Sequence, residues 1–184
     1  MPGFVALLRG VNVGKANRVP MAELRELLDA LGYTNVATLL NSGNAVFDAT
    51  TGSAAGHAKA IAAALGERLG VDVPVIVKSA KELRAIVADN PLAIAAPHHS
   101  RFLVAFAQDR EAVAGLAAIR SLVVAPERFA LGLDAAYLLC AAGIMESKAG
   151  SALLGKLGRE VTTRNWATVL KLKALLGSSL TQPS

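Results

Sequence analysis

The feature that most constrains the fold of this chain is the order of strand-like and helix-like patterns of apolar residues along the first 79 residues. Short apolar runs predict buried strands, and leucines at helical spacing predict helices between them. The predicted elements are strand 4–8, helix 21–31, strands 35–40 and 45–48, a helix closed by Gly70, and strand 74–78. This order is βαββαβ, which is the ferredoxin-like arrangement of an α+β domain.

A domain boundary is predicted near residue 90. Ser79 and Glu82 form a capping box that starts a third helix, and this helix should end before Asn90-Pro91, because a residue preceding proline avoids helical geometry. We therefore predict a ferredoxin-like domain at 1–90 and a second α+β domain at 91–184. The second half repeats the first in outline, so a degenerate copy is one interpretation of it, although no residue-level repeat supports that interpretation.

The composition predicts a folded protein, since 53% of the residues are apolar and 18% are charged. The single cysteine, Cys140, cannot form an internal disulfide, which fits a reducing compartment. The N-terminal apolar run is too short for a signal peptide, and no apolar stretch reaches the length of a membrane span. We expect a cytoplasmic protein that does not associate with a membrane.

Residues that could carry catalysis or bind a metal are sparse. His98 and His99 fall in the boundary loop, His57 falls on an exposed helical start, and no cysteine pair or carboxylate cluster accompanies them. The loop from Gly10 to Lys15 is one residue short of a phosphate-binding loop and lacks its magnesium-binding hydroxyl. We therefore predict no metal and no cofactor, and the question of enzymatic activity stays open.

A polar rim is expected where the first strand–helix loop, residues 9–19, meets the turn 41–44, because a ferredoxin-like fold brings both to one edge of the sheet. The loop has no acidic residue before Glu23 and leads into a helix N-terminus, where amide groups and the helix dipole favour an anion. The alternative is that its glycines and asparagines serve only turn chemistry. The candidate ligand-binding residues of this rim are Arg9, Asn12, Lys15, Ser42 and Asn44.

A second polar cluster is predicted in the second domain. Thr163 or Asn165 can cap the last helix, and Ser147 can cap the helix before it, so these residues have a structural interpretation as well as a functional one. Arg164 beside a helix start is a candidate anion contact, whereas Trp166 more often serves as a packing anchor. The candidate residues of this cluster are Ser147, Lys148, Arg164, Asn165 and Trp166.

The segment 148–173 contains six basic residues and one acidic residue, whereas the remainder of the chain is balanced. Three functions follow from these patterns. The first is binding of a phosphate-bearing small molecule or nucleotide at the rim, and the second is nucleic-acid binding through 148–173. The third is an enzyme acting on a phosphorylated substrate, with Lys15, Ser147 or Lys148 in its chemistry. An interaction module without a small ligand is the remaining alternative.

Several separate motifs occur in one order along the chain: Leu7–Gly14, Met21–Leu24, Asn41–Asn44, Asn90-Pro91, Ser147-Lys148 and Thr162–Trp166. Together they resemble the bacterial family known as domain of unknown function number sixteen ninety-seven. The family commonly has Gly-Gly-Lys-Asn where this chain has Gly14-Lys15-Ala16-Asn17, so the first loop departs from the family pattern. The resemblance implies an intracellular bacterial protein of ferredoxin-like α+β architecture, and it implies no particular activity.

Overall fold

The computed structural model describes residues 3–178, and contacts between residues divide them into two units. The first unit contains residues 3–83 and 172–178, and the second contains residues 84–171. The sequence places the boundary after residue 90 and assigns the whole C-terminal stretch to the second domain. In the structure both divisions instead fall within helices.

Four antiparallel strands and two helices form the body of the first unit. The strands are β1 Gly3–Leu8, β2 Thr34–Thr38, β3 Asn44–Asp48 and β4 Val75–Ser79, and their order across the sheet is β2-β3-β1-β4. Helix α1, Met21–Ala30, connects β1 to β2, and helix α2, Ala54–Leu69, connects β3 to β4. This is the predicted ferredoxin-like arrangement.

The helices cover one face of this sheet because their apolar residues recur at helical spacing. Leu24, Leu27 and Leu28 of α1 are buried with Ile61 and Leu65 of α2 in one hydrophobic core. Alternate strand residues, including Phe4, Ala6, Leu8, Ala45 and Phe47, complete the core from the sheet. The helix-covered face of the sheet is therefore mainly apolar.

His57 lies inside this core, and the expectation that it is exposed is wrong. Its side chain is 7% exposed, and its Nδ1 is 2.8 Å from the Tyr33 hydroxyl, with which it shares a hydrogen bond. The rings of Phe4 and Phe47 flank it, with centroids 4.7 and 5.6 Å away. Gly52 lies against the ring, since a methyl group there would be 2.8 Å from Cε1. The start of α2 thus turns inward, which agrees with helical spacing, since His57 precedes the buried Ile61 by four residues.

The second unit repeats the topology of the first. Helix α3, Ala80–Ala88, is followed by β5 Phe102–Ala107, α4 Arg110–Ala114, β6 Arg128–Leu131, β7 Ala135–Leu139, α5 Lys148–Leu154, β8 Val161–Asn165 and α6 Trp166–Ser178. Two 3-10 helices, Ala96–Arg101 and Gly115–Leu122, complete the described elements. Its strand order, β6-β7-β5-β8, corresponds position by position to β2-β3-β1-β4.

The repeat extends to individual positions on the last strand of each sheet. Lys78 pairs with Val5 of β1, and Arg164 pairs with Val104 of the equivalent strand β5. Both basic side chains are buried, with 4% and 8% exposure. Each is followed by a residue that caps the next helix. This correspondence is not visible in the sequence because the equivalent positions carry different residue types. Lysine in the first unit corresponds to arginine in the second, and the serine cap corresponds to an asparagine cap.

The turn between β2 and β3 packs closely onto the end of β1. The Leu8 amide donates to the Gly43 carbonyl at 2.9 Å, and Gly43 has a left-handed φ of 84°. A Cβ at this position would lie 2.7 Å from side-chain atoms of both Leu8 and Val11. Glycine is therefore required here by backbone conformation and by space together.

Burial lowers the pKa of His57, because desolvation disfavours the imidazolium form. The unfolded chain then takes up a proton below about pH 6.5 more readily than the folded chain does, so acid should reduce the free energy of unfolding. The slope contributed by this one proton is at most about 1.4 kcal/mol per pH unit. We expect His57→Gln to lose this slope in urea unfolding measured from pH 8 to pH 5. The exposed His98 supplies the control, and a slope that survives in His57→Gln but not in His98→Gln would refute the assignment.

The contacts of Gly43 predict that Gly43→Ala lowers the free energy of unfolding by about 2 kcal/mol, since it adds left-handed strain to a steric clash. Gly66→Ala is the matched control, because Gly66 lies within α2 with no heavy atom within 4 Å of its added methyl. That variant should be up to about 1 kcal/mol more stable than the wild type. Equal stability of the two variants in chemical denaturation would contradict this packing.

Candidate functional site

The loop between β1 and α1 is shaped by residues in left-handed conformations and is closed by one asparagine. Gly10, Asn12, Gly14 and Asn17 have φ values of 67°, 57°, 64° and 52°. The Asn12 backbone amide donates to the Asn17 carbonyl at 3.1 Å. Glycine and asparagine tolerate these conformations better than other residues, which explains their frequency in this loop.

The side chain of Asn12 joins the loop to the β2–β3 turn. Its Nδ2 donates to the Val19 carbonyl at 2.8 Å and to the Asn41 carbonyl at 2.7 Å, and its Oδ1 accepts from the Val19 amide at 2.9 Å. Both amide donors are therefore engaged within the protein. The two connections meet at one edge of the sheet as expected, and Asn12 acts there as the residue that holds them together.

Asn44 has a similar internal role in the turn. Its side chain is fully buried, and its Nδ2 donates to the Leu39 carbonyl at 3.0 Å and to Ser42 Oγ at 2.9 Å. Ser42 itself is exposed at the turn. The amide of Asn44 thus shapes the turn, while the neighbouring Ser42 hydroxyl lies at the surface.

A concavity of about 350 Å³ lies where this loop enters α1. Asn12 and Asn41 line one part of it, and Arg18 adds an exposed cationic side chain. Its remaining lining residues are Val19, Pro20 and Met21. Arg9 is half-buried and Lys15 is exposed in the same loop, and neither lines the concavity. We did not single out Arg18 from the sequence, although a basic residue two positions before the proline of a helix start was the available signal.

The N-terminus of α1 differs from those of the other α-helices within residues 3–178. Its N-cap is Pro20, which offers no side-chain hydrogen bond to the first turn. The caps of the other five helices, from α2 to α6, accept a backbone N–H three residues ahead at 2.9–3.1 Å: Ser53, Ser79, Asp109, Ser147 and Asn165. The first turn of α1 consequently has no side-chain cap, and Pro20 and Met21 at its start line the concavity.

Two predicted site residues of the second unit are helix caps. Ser147, at 2% exposure, accepts from the Gly150 amide, and Asn165 accepts from the Thr168 amide, each at 2.9 Å. Trp166 packs against Phe102 with ring centroids 5.3 Å apart, while Lys148 is exposed. Antiparallel pairing brings the end of β8 and the end of β7 to the edge at which β5 begins, so the whole cluster lies at one edge of the second sheet.

Arg164 is the buried member of that cluster. Its Nη1 donates to Thr162 Oγ1 at 2.7 Å and to the Thr163 carbonyl at 2.8 Å. Burial lowers the pKa of Arg164 to about 10, because the guanidinium has lost most of its hydration. The guanidinium of Arg164 is thus bonded to its own strand and remote from solvent.

The basic segment 148–173 presents its charge unevenly. With Arg164 buried, the remaining cations are Lys148, Lys156, Arg159, Lys171 and Lys173, all exposed. Lys156 and Arg159 line a concavity of about 670 Å³ together with two carboxylates, Glu111 and Glu160. The local charge there is balanced rather than strongly positive.

Across residues 3–178, no three or more histidine, cysteine or acidic side chains gather in a way that could hold a metal ion. Cys140 is a buried free thiol, and burial raises its pKa. In the same described region, no helix combines the length and apolar character that crossing a bilayer requires.

Comparison with known proteins agrees with this architecture. A conserved bacterial protein from Streptococcus pneumoniae has a solved structure that superposes with a TM-score of 0.78 at 24% sequence identity, covering 95% of this chain and 98% of that one. Among curated proteins, none matches this sequence. The family model described as "Protein of unknown function (DUF1697)" matches residues 1–137. The resemblance identified from the motifs is thereby confirmed, and the chain belongs to the DUF1697 family.

Proposed function

We propose that the rim formed by loop 9–19 and turn 41–44 binds a phosphate-bearing small molecule. The observation that carries this proposal is that α1 starts without a side-chain cap at Pro20, and that Pro20 and Met21 line a concavity together with the exposed Arg18. Unsatisfied first-turn amides and the helix dipole both favour a negative group at such a position. Arg18 adds a planar donor fork suited to phosphate oxygens.

The charge distribution around the rim supports an anion. Arg9, Lys15 and Arg18 carry the charges of the loop, and residues 3–22 include no aspartate or glutamate. Glu23 is the nearest acidic residue along the chain, and it lies exposed in the first turn of α1. Its carboxylate stabilises the helix but opposes a second negative group at the same N-terminus.

The rim residues divide into two roles in this proposal. Asn12 and Asn44 position the loop and the turn, since their amide donors are bonded to protein atoms. Arg18 is exposed and lines the concavity, so it contacts the ligand, whereas Lys15 and Ser42 are exposed on the same rim outside the lining. The concavity falls at the lower end of the size range of small-molecule sites, which favours a compact ligand over a macromolecule.

The alternatives gain less support. Nucleic-acid binding through 148–173 could not use Arg164, because this side chain is buried. The carboxylates of Glu111 and Glu160 lie beside Lys156 and Arg159 and would repel the phosphate groups. An enzymatic use of the rim would add a reaction to this binding, and Lys15, its candidate catalytic residue there, lies outside the lining of the concavity. The cytoplasm stays our proposed location, supported by the free thiol of Cys140.

We expect ribose 5-phosphate to bind the full-length chain, with heat detectable by titration calorimetry and a rise in Tm that grows with concentration. Arg18→Ala should weaken this binding about tenfold, because it removes one charge-assisted contact. Lys59→Ala, an exposed cation of α2 outside the rim, is the matched control and should bind as the wild type does. Equal affinity of Arg18→Ala and the wild type would remove Arg18 from the site, and absence of binding to the wild type would overturn the proposal.

The position of Glu23 makes an opposite prediction. Glu23→Gln should tighten phosphate binding about two- to fivefold, because a carboxylate near the anion is neutralised. The same substitution should slightly lower Tm, since α1 loses a favourable charge at its N-terminus. Glu26→Gln, one turn further along α1, should change neither quantity appreciably. Weaker binding by Glu23→Gln would indicate that the ligand does not lie at this helix start.

A further inference from the structure

The concavity of about 670 Å³ in the second unit is lined by charges of both signs that do not neutralise one another. Its charged residues are Glu111, Lys156, Arg159 and Glu160. Within residues 3–178, the side chains of these four residues form neither an ion pair nor a hydrogen bond. Ion pairing does occur close by, since Arg110, the neighbour of Glu111, contacts Asp134 at 2.8 Å. The concavity therefore leaves two cations and two carboxylates available to a ligand.

Both cations lie on one tight turn between α5 and β8. The Arg159 amide donates to the Lys156 carbonyl at 3.3 Å, which closes this turn. Gly158 is buried within it, and a Cβ added there would overlap the carbonyl of Leu153 in α5. A glycine thus lets the turn pack directly onto the helix backbone. The two exposed cations are held three residues apart at the ends of an anchored turn.

The carboxylates come from two different elements. Glu160 follows the turn directly, whereas Glu111 belongs to α4. Two cations on one turn repel each other, and a carboxylate that contacts both of them relieves this repulsion. Glu111 offers an acceptor for an ammonium group on a separate element of the lining. A ligand that uses both sets of charges must therefore carry a negative group and a positive group at different ends.

The remaining lining of the concavity is apolar or open. Leu157, which lies between the two cations along the chain, is 44% exposed, and Ala112 and Val161 extend the apolar surface. Gly115 also lines the concavity, and no heavy atom lies within 4 Å of a Cβ added there. The volume falls within the range of sites for small organic ligands and is about twice that of the concavity at α1. These features fit a ligand larger than a single amino acid that has an apolar side chain.

We propose that this concavity binds a short zwitterionic peptide, of about dipeptide size, with apolar side chains. The peptide carboxylate contacts Lys156 and Arg159, its ammonium group contacts Glu111, and an apolar side chain packs against Leu157. This proposal goes beyond the phosphate site at the rim and shares no residue with it. Either site can therefore fail its test without consequence for the other.

The test is titration calorimetry of the full-length chain with leucyl-leucine and with two derivatives that each lack one charge. N-acetyl-leucyl-leucine lacks the ammonium group, and leucyl-leucine amide lacks the carboxylate. Each derivative should bind the wild type about tenfold more weakly than leucyl-leucine does, because one charge-assisted contact is lost.

Variants of the lining assign each end of the peptide to its partner. Arg159→Gln should weaken leucyl-leucine binding about tenfold and leave the affinity for the amide unchanged, because the amide has no carboxylate to lose contact. Glu111→Gln should weaken leucyl-leucine binding by a similar factor and leave the affinity for the N-acetyl derivative unchanged. Arg120→Gln and Glu146→Gln are the matched controls, since both residues are exposed in the second unit outside the lining, and they should bind as the wild type does.

A steric variant tests the position of the peptide. Gly115 has a φ of −59°, which any residue adopts, so Gly115→Phe should fold with an unchanged circular dichroism spectrum and lose leucyl-leucine binding. Gly66→Phe, on the exposed surface of α2, is its control and should retain binding. Absence of leucyl-leucine binding to the wild type at millimolar concentration would overturn the proposal. Equal affinity for all three peptides, or undiminished binding by a folded Gly115→Phe, would overturn it as well.

Discussion

The three hydrogen bonds of the Asn12 side chain are the constraint on which the candidate site depends. They close the β1–α1 loop upon Val19 and fasten it to the β2–β3 turn at Asn41. A loop of this length would otherwise expose several carbonyl groups without partners and would be free to leave the sheet edge. Asn12 also adopts a left-handed conformation, which few residues other than asparagine could combine with these contacts. Asn12 and Asn41 both line the concavity at the start of α1, so this amide joins two parts of its lining.

The second unit has the same topology, but different contacts join its first strand–helix connection to its hairpin turn. There β5 leads to α4 through residues 108–109 alone, and Asp109 caps the helix. The link to the β6–β7 turn is an ion pair, with Arg110 Nε 2.8 Å from Asp134 Oδ1. The equivalent helix start is therefore capped, and an anionic carboxylate lies nearby. Within residues 3–178 the two units thus differ at this edge, where the first combines a basic loop with a helix start that has no side-chain cap and the second does not.

The sequence predicted the fold of the first unit well because its helices and strands have strong and different periodicities. The capping box of Ser79 and Glu82 is present as expected, with both hydrogen bonds formed at 3.1 and 2.7 Å. The meeting of the first loop with the turn followed from topology alone. Burial of polar residues was the part that could not be foreseen. His57 pairs with Tyr33, which is distant along the chain, and the polar run Thr162–Asn165 gives no sign that Arg164 is enclosed.

The polar motif residues of this chain either shape a loop or helix end or lie exposed on the rim. The sequence alone does not distinguish these two groups, whereas the hydrogen bonds of their side chains do. The side chains of one group form hydrogen bonds with backbone atoms of the adjacent loops and helices: Asn12, Asn44, Ser147 and Asn165. The cationic groups of Lys15 and Arg18 instead lie exposed at the rim. Substitutions in the first group should change stability before they change binding, because the shape of the site is lost. Substitutions in the second should change binding with little effect on stability, because a solvated charge contributes little to folding. The hydrogen bonds of the polar residues therefore separate those that build the rim, such as Asn12 and Asn44, from those that are exposed on it, such as Lys15 and Arg18.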